Sequence, residues 1–335
     1  MNKKKVDMLI ASMRKEAEDA ISLIETHISW VILTDSYVYK IKKPMSYSFL
    51  DYITVEKRRY YCYKELVLNR RITNDVYLAV VPIYQKDGDY HLDFFGGAIV
   101  DYAVKMKRLD ERKLMIHLLK TKQISAHQIV ILARKIAGFH LKSDIITDAF
   151  SWRTFDMKFA DIAGVRQFLT DHLGADSGFT IEMAMEKSTR FLQQHEDLIN
   201  ARIQEGFQRD VHGDLHAKNI FLYDDPIIFD CIEFDDGFRQ MDVLNEVAFC
   251  CMDLEANGHH AFSRLLLNHY LKDLPAIRNK QEEKLFIYFK AYRANVRAKV
   301  NALRATQHVA GHQLQKNLIA TDKYLKLMAL YLREI

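Results

Sequence analysis

The chain has 335 residues, of which 49% are hydrophobic, and a formal net charge of +4. That length and apolar content suit a large core in one large or two closely coupled domains and exclude a disordered chain. The charge is too small to argue for nucleic acid, so any basic surface must be local.

Four prolines and twelve glycines exclude Pro- or Gly-rich linkers and favour long helices. No apolar run reaches the eighteen or so residues of a membrane span. The start M-N-K-K-K leads into an amphipathic, charged stretch rather than the apolar core of a signal peptide. Cys62, Cys231, Cys250 and Cys251 have neither paired C-x-x-C spacing nor a disulfide framework, and the adjacent pair reads as small apolar residues in a buried helix. Fourteen histidines show no zinc-ligand spacing. The expected setting is the cytoplasm, with no membrane and no nucleic-acid partner.

In chain order, Ser29 to Leu33 and Tyr37 to Lys42 are β-branched or aromatic runs separated by Thr34-Asp35-Ser36, which is hairpin chemistry. A helical pattern runs from about Val55 to Ile72. Tyr77 to Tyr84 and Tyr90 to Phe95 then form a second hairpin around Lys86-Asp87-Gly88-Asp89, and Tyr102 to Met106 a last strand. From Asp110 the period becomes helical. Ile129, Leu132, Ile136 and Phe139 recur at three and four and predict a helix ending near His140. Between Asp144 and Gly178 the pattern is irregular, a candidate insertion near a substrate. A long helical stretch over Ile181 to Glu205 follows, and the C-terminal part reads as helices with a charged face.

Val211 to Phe221 reads V-H-G-D-L-H-A-K-N-I-F, and Asp230 follows inside the apolar run I-I-F-D-C-I. Phosphoryl transfer needs a carboxylate to accept a hydroxyl proton, an amide oxygen on a metal ion and a second carboxylate on the same metal. Asp214, Asn219 and Asp230 supply those groups, and the step from Asp214 to Asn219 matches the D-x-x-x-x-N of kinase catalytic loops. Ile227 to Phe229 reads as a short buried strand delivering Asp230. Asn219 and Asp230 are hard oxygen ligands suited to Mg²⁺, and an acid in an apolar strand costs free energy unless paired or metal-bound.

H-G-D-L-H-x-x-N, an apolar strand carrying Asp, and D-x-x-x-[DE]-x-A at Asp242 to Ala248 resemble the aminoglycoside phosphotransferase group of the protein-kinase-like superfamily. More closely, the chain resembles a bacterial aminoglycoside phosphotransferase-like branch of unestablished substrate. The markers are S-W-V-I-L at Ser29, Y-K-I-K-K-P at Tyr39, F-L-D-Y at Phe49, E-L-V-L-N-R-R at Glu65 and A-Y-R-A-N-V-R-A-K-V at Ala291, so the resemblance covers nearly the full length. It implies an α+β, two-lobed protein-kinase-like fold, with a small antiparallel-sheet lobe over residues 1–107 and a larger, mainly helical lobe over residues 108–335.

The resemblance also implies the cofactors ATP (or GTP) and Mg²⁺, with Asp214 as base and Asn219 and Asp230 on the metal. His212 would hold the loop. His216 would either touch the transferred phosphoryl group or pack the loop, with Lys218 the weaker candidate for that contact. The nucleotide clamp is a Lys on the third small-lobe strand with a Glu from the next helix. Lys40 and Lys42 share one strand face, so spacing does not choose between them. Lys40 is favoured because Val38 stands two residues earlier, where an apolar residue borders adenine. Glu65 is better placed than Glu56 for the clamp, and adenine would meet backbone groups of the Lys105 to Leu109 connection between lobes, Met106 among them.

No Gly-rich phosphate loop precedes the first hairpin strand, leaving the Ser29 hydroxyl or N–H as a candidate phosphate contact. A Walker loop is also absent, which excludes a P-loop kinase. Glu233 reads as solvated or of uncertain role, and Asp242 and Glu246 as supports that brace the catalytic loop. Lys290, Arg293 and Arg297 share a helical face, either a solvated one or a basic wall for an acidic or phosphorylated acceptor. The expected function is ATP-dependent phosphotransfer to a hydroxyl of a small molecule or protein. The alternative is a nucleotide-binding regulator with little catalysis that acts with a partner.

Overall fold

A computed structural model describes all residues except 17–19, 48–49, 74, 94–95 and 308–310, together with the side chain of Glu16. The expectations at Phe49 and at Phe95 therefore lie outside the described residues. The chain forms two compact units. One comprises Met1–His117 with Asn219–Tyr223 and Ile227–Arg239, and the other Leu118–Lys218 with Asp224–Pro226 and Gln240–Ile335. Among the described residues, no helix is long and apolar enough to cross a membrane.

The first unit opens with helix α1 (Lys3–Glu16), followed by strands β1 (Ser22–Glu25), β2 (Ser29–Leu33) and β3 (Tyr37–Lys42). After the two-residue strands β4 (Ser46–Tyr47) and β5 (Leu50–Asp51) come α2 (Val55–Arg70), β6 (Tyr77–Lys86), β7 (Asp89–Leu92) and β8 (Ala98–Lys107). Six strands make one antiparallel sheet in the order β1-β2-β3-β8-β6-β7. Strand alternation puts Ile41 on one face, in a core with Val6, Leu9 and Ile10 of α1 and with Trp30, Ile32 and Ile83. Val38 stands on the other face, with Tyr77, Val104 and Met106 under Cys62 and Leu66 of α2. Lys40 and Lys42 are in phase with Val38 and turn toward α2. That helix begins where the Thr54 hydroxyl accepts the Lys57 N–H. The N-terminal stretch that reads only as amphipathic thus supplies a helix and an extra strand to the sheet.

Late chain completes this unit. Ile220–Phe221 pairs antiparallel with Ile227–Ile228, and the Asn219 carbonyl accepts the Phe229 N–H at 3.1 Å. Asp230 lies just past this ribbon rather than within a strand, with φ of 66°, a left-handed conformation that Asp tolerates better than most residues.

The chain passes into the second unit within α3 (Met115–Lys120), which leads into α4 (Ala126–Lys142), whose start is a capping box between Ser125 and Gln128. The irregular stretch after Asp144 contains α5 (Trp152–Ala160), a 3-10 turn (Asp161–Val165) and α6 (Arg166–Leu173). Phe155 and Phe159 pack against Tyr292 and Tyr288. The single helix expected over Ile181 to Glu205 is two, α7 (Ala175–Gln194) and α8 (Glu196–Gln204). They break at His195, whose ring stacks back on Phe191 and bonds its carbonyl. The helices α9 (Val243–Ala256), α10 (His260–Asp273), α11 (Lys280–Thr306) and α12 (His312–Tyr331) follow. Every residue of α9 from Val243 to Leu254 is buried, including Cys250 and Cys251, as an apolar helix packed against α10 and α11 must be.

Candidate functional site

In the first unit, two lysines and three carboxylates converge on the α2 face of the sheet. Lys40 Nζ donates to Glu65 Oε1 at 2.8 Å and to Asp230 Oδ1 at 2.5 Å. Lys42 Nζ donates to Glu65 Oε2 at 2.7 Å and to Glu233, which also accepts the Tyr52 hydroxyl. Glu65 therefore grips both lysines, one with each oxygen. Burial raises its pKa, but the two ammonium groups win and hold it well below the usual carboxylate range. The same balance acts in reverse on Lys40 and Lys42: burial lowers them, and their acidic partners raise both above the ordinary lysine value.

Exposure separates the two lysines. The Lys42 side chain is 0% exposed and closed in by Glu65, Glu233 and Tyr52, whereas Lys40 is 12% exposed and shares Asp230, which is 42% exposed. Glu233, open at the sequence level to a solvated reading, is buried and ion-paired. Two ammonium groups against three carboxylates leave the cluster one negative charge, which a further cation would balance.

The backbone carrying Asp230 is fixed from two sides. Its N–H donates to the Tyr77 hydroxyl at 3.0 Å, and the Cys231 N–H to Asn69 Oδ1 at 3.0 Å. The Thr73 hydroxyl donates to the Ile228 carbonyl at 3.1 Å. Asn69 also donates to the Glu65 carbonyl at 2.8 Å, so one amide links the helix bearing Glu65 to the turn bearing Asp230. Sequence reading missed Asn69, Thr73 and Tyr77, although Asn69 stands one helical turn after Glu65 and inside the E-L-V-L-N-R-R marker.

Met106 is buried in the core that Val38, Leu109, Ile227 and Phe229 border as half-buried apolar groups. The Ser29 side chain is buried, its N–H donates to Thr26 Oγ1 at 2.9 Å and its carbonyl accepts from Thr26, while its hydroxyl has no hydrogen-bond partner among the described residues.

In the second unit the H-G-D-L-H segment is held by its own histidines and by Glu246. Glu246 accepts the N–H groups of His212 at 3.2 Å and Gly213 at 2.5 Å, and meets His140 Nε2 at 2.7 Å. Burial raises the Glu246 carboxyl, but the bond and charge of His140 bring it below the usual range. His140 in turn meets the Tyr270 hydroxyl at 2.8 Å. Asp242 caps α9 through the Leu244 N–H and binds Arg202 with both oxygens, at 2.6 and 2.9 Å.

His212 Nδ1 accepts the Asp214 N–H, and His216 Nδ1 accepts the Lys218 N–H, each at 3.2 Å. Nε2 of His216 is thereby the donor, and it faces Asp214 Oδ2 at 3.3 Å. The Asp214 carboxylate is 38% exposed. Desolvation raises its pKa, but the His216 charge and bond, then Arg297 and His212, hold it well below the usual carboxylate range.

The run Lys290, Arg293 and Arg297 is not a solvated face. Lys290 pairs with Glu255 at 3.1 Å. Arg293 is buried, donating to Asn245 Oδ1 at 2.7 Å and to the Gly213 carbonyl at 3.2 Å. Arg297 is buried as well. Among the described residues there is no group of three or more His, Cys, Asp or Glu able to hold a metal.

No family model matches the sequence. A Mycobacterium tuberculosis protein described as uncharacterized, Rv2004c, is 29% identical over 315 residues, covering 91% of this chain and 60% of that protein, and Mb2027c of Mycobacterium bovis matches with the same figures. The chain thus spans about 60% of the length of the curated relatives it matches. Among solved structures it is similar to a thermostable mutant of aminoglycoside phosphotransferase APH(4)-Ia in its apo form, with a TM-score of 0.56, 12% identity and 98% of each chain covered. The GDP complex of a mutant aminoglycoside 2'-phosphotransferase-IIIa gives 0.53 and 13%, with 96% of this chain and 97% of that one covered. A Plasmodium vivax ethanolamine kinase gives 0.51 and 11%, with 96% and 87% covered. The chain thus shares the fold of these three structures, with an antiparallel sheet in one unit and a larger, mainly helical second unit.

Proposed function

We propose that this protein transfers the γ-phosphoryl group of ATP, or of GTP, to a hydroxyl group. The observation that carries the reading is the Lys40–Glu65–Asp230 cluster: a strand lysine fixed by a helix glutamate and touching the acid that follows the catalytic loop. A binding scaffold has no need of two buried lysines on one glutamate, whereas phosphoryl transfer needs a rigid cation at the nucleotide phosphates. Lys40 is assigned to the phosphates, because it alone of the pair keeps exposure. Lys42 keeps Glu65 and Glu233 in place. The half-buried apolar groups around Met106 suit an adenine ring.

Asn219 and Asp230 offer hard oxygen donors at one end of the same short ribbon, beside a cluster with one uncompensated negative charge. This donor set fits Mg²⁺, which takes one or two protein oxygens and completes its shell with water and phosphate. When bound, the ion supplies neutralisation of phosphate charge. Asp214 accepts a hydrogen bond from the acceptor hydroxyl. Its low pKa keeps it ionised, so it orients the hydroxyl first and takes the proton late, in keeping with a loose transition state. His216 Nε2–H anchors that carboxylate, and Glu246 and Arg293 hold the loop backbone.

Calorimetry and turnover test the reading together. Nucleotide with Mg²⁺ at about 100 times Kd should stabilise the fold by about 2.7 kcal/mol, and Asp230→Ala should remove the magnesium-dependent part. Asp214→Asn should retain nucleotide binding while transfer falls roughly 10²-fold or more. Absence of any nucleotide binding would sink the proposal. One observation favours a second reading as a nucleotide-binding regulator: the turn before β2 lacks glycine and keeps the Ser29 amide for Thr26, so that amide adds no phosphate grip. Binding without transfer, by wild type as by Asp214→Asn, would select that reading.

A further inference from the structure

Arg297 is 8% exposed on α11, and among the described residues no acceptor lies within hydrogen-bond distance of its Nε. Buried donors are ordinarily paired, and a charged one left unmet carries a large desolvation cost. The guanidinium sits 5.5 Å from the centre of the Tyr324 ring, and the Lys323 ammonium 4.9 Å from the same ring. Arg304 follows Arg297 by two helical turns on the same side of α11, about 10 Å along the axis.

The catalytic turn is docked on this patch. Asp253 accepts the Ala217 N–H at 2.9 Å and the Tyr324 hydroxyl at 3.3 Å, which places the next residue, Lys218, beside the patch and leaves both Asp253 oxygens engaged. Desolvation and the charge of Arg297 lower Arg304, with Asp214 opposing. These cations repel one another next to the carboxylate assigned to the acceptor hydroxyl, and Asp253 and Asp214 offset them in part.

Resting on the phosphotransferase reading, we propose that Lys218, Arg297, Arg304 and Lys323 bind a phosphate group carried by the acceptor, so that the substrate is a hydroxyl compound already bearing a phosphate monoester. Arginine forks pair with phosphate oxygens in a bidentate way, and the unmet Nε–H is such a donor. The patch runs farther along α11 than a single transferred phosphoryl group, and the phosphates of the nucleotide already have Lys40, Asn219 and Asp230. Of the run Lys290, Arg293 and Arg297, only Arg297 serves here, since the other two are committed to Glu255 and to the loop.

The test uses the full chain, saturated with Mg²⁺ and a non-hydrolysable ATP analogue, into which inorganic phosphate is titrated calorimetrically. Phosphate should bind, and Arg304→Gln and Lys323→Gln, half-buried positions that spare the core, should each weaken it roughly ten-fold with analogue affinity unchanged. Arg297→Lys should weaken it as well. No phosphate binding, or equal binding by all variants, overturns the proposal. So does competition between phosphate and the analogue, which would assign the cations to the nucleotide. Failure of the analogue to bind is a separate result and falls on the phosphotransferase reading instead.

Discussion

The two lysines of the cluster should fail in opposite ways when replaced by methionine. In Lys42→Met, Glu65 keeps Lys40, but buried Glu233 is left, among the described residues, with the Tyr52 hydroxyl. Removing one partner of a buried ion pair costs about 3–5 kcal/mol because the other charge stays desolvated. At about 2–4 °C per kcal/mol for a chain of this order of size, the melting temperature should fall by roughly 6–20 °C. In Lys40→Met, Glu65 keeps Lys42, and the other partner, Asp230, is open enough to be hydrated. The stability loss should then be about 1 kcal/mol. Nucleotide affinity should instead fall roughly 10- to 100-fold, the value of a charge-assisted bond worth about 1.5–3 kcal/mol. Thermal denaturation followed by circular dichroism, with calorimetric titration of Mg²⁺-ATP on both variants, gives a crossed result. Equal stability loss in the two variants, or a larger nucleotide defect in Lys42→Met, would refute the division of labour.

Asn69→Ala leaves the Cys231 N–H unmet, so urea denaturation should show a loss of about 1–3 kcal/mol, together with weaker magnesium-dependent nucleotide binding because the Asp230 turn is released. Glu246 has a folded pKa below its ordinary 4.5, so the stability it contributes is present above that value and lost as pH falls through the folded one. Glu246→Gln should therefore flatten the acid limb of a urea-midpoint profile below about pH 4.5 while lowering stability at neutral pH. For Lys218 the folded value of about 8 lies under the ordinary 10.5. Its charged form is disfavoured in the fold, the penalty is complete below pH 8, and it is relieved between the two values. Lys218→Met should be more stable than wild type at pH 7, with the difference vanishing near pH 10.5, and an unchanged difference across that range would refute the assignment.

What sequence alone could reveal follows from how local each signal is. The D-x-x-x-x-N step, the acid after an apolar run and the alternation of β3 are local, and they led to the groups of both candidate sites and to the strand face that carries Lys40 and Lys42. The choice between those lysines depends on what seals them, and Glu233 and Tyr52 lie far apart in the chain. Charge periodicity on α11 misled for the same reason. A basic run usually faces solvent, but Glu255, Asn245 and the Gly213 carbonyl, all from distant segments, draw it inward. At Ser29 the bonds of Thr26 engage the amide and the carbonyl, and burial of the hydroxyl depends on packing that turn chemistry does not encode. The break at His195 had no signal in apolar spacing, which carries no information on a side chain that folds back on its own helix.

The first unit is assembled from pieces of chain that are made at different times. Its sheet, α1 and α2 are finished by His117, yet the partners of Lys42 and of the Asn69 amide arrive only with residues 227–239. At ribosomal rates of about 5–20 residues per second, that interval lasts roughly 6–25 s. During it, Lys42 has Glu65 but no Glu233, and the Tyr52 hydroxyl has not yet met its acid. A nascent or proteolytic piece ending near residue 117 would hold its buried ammonium under-paired, and the strands alone would be poorly sealed. The first unit thus becomes a finished structure only after residues 227–239 have been synthesised.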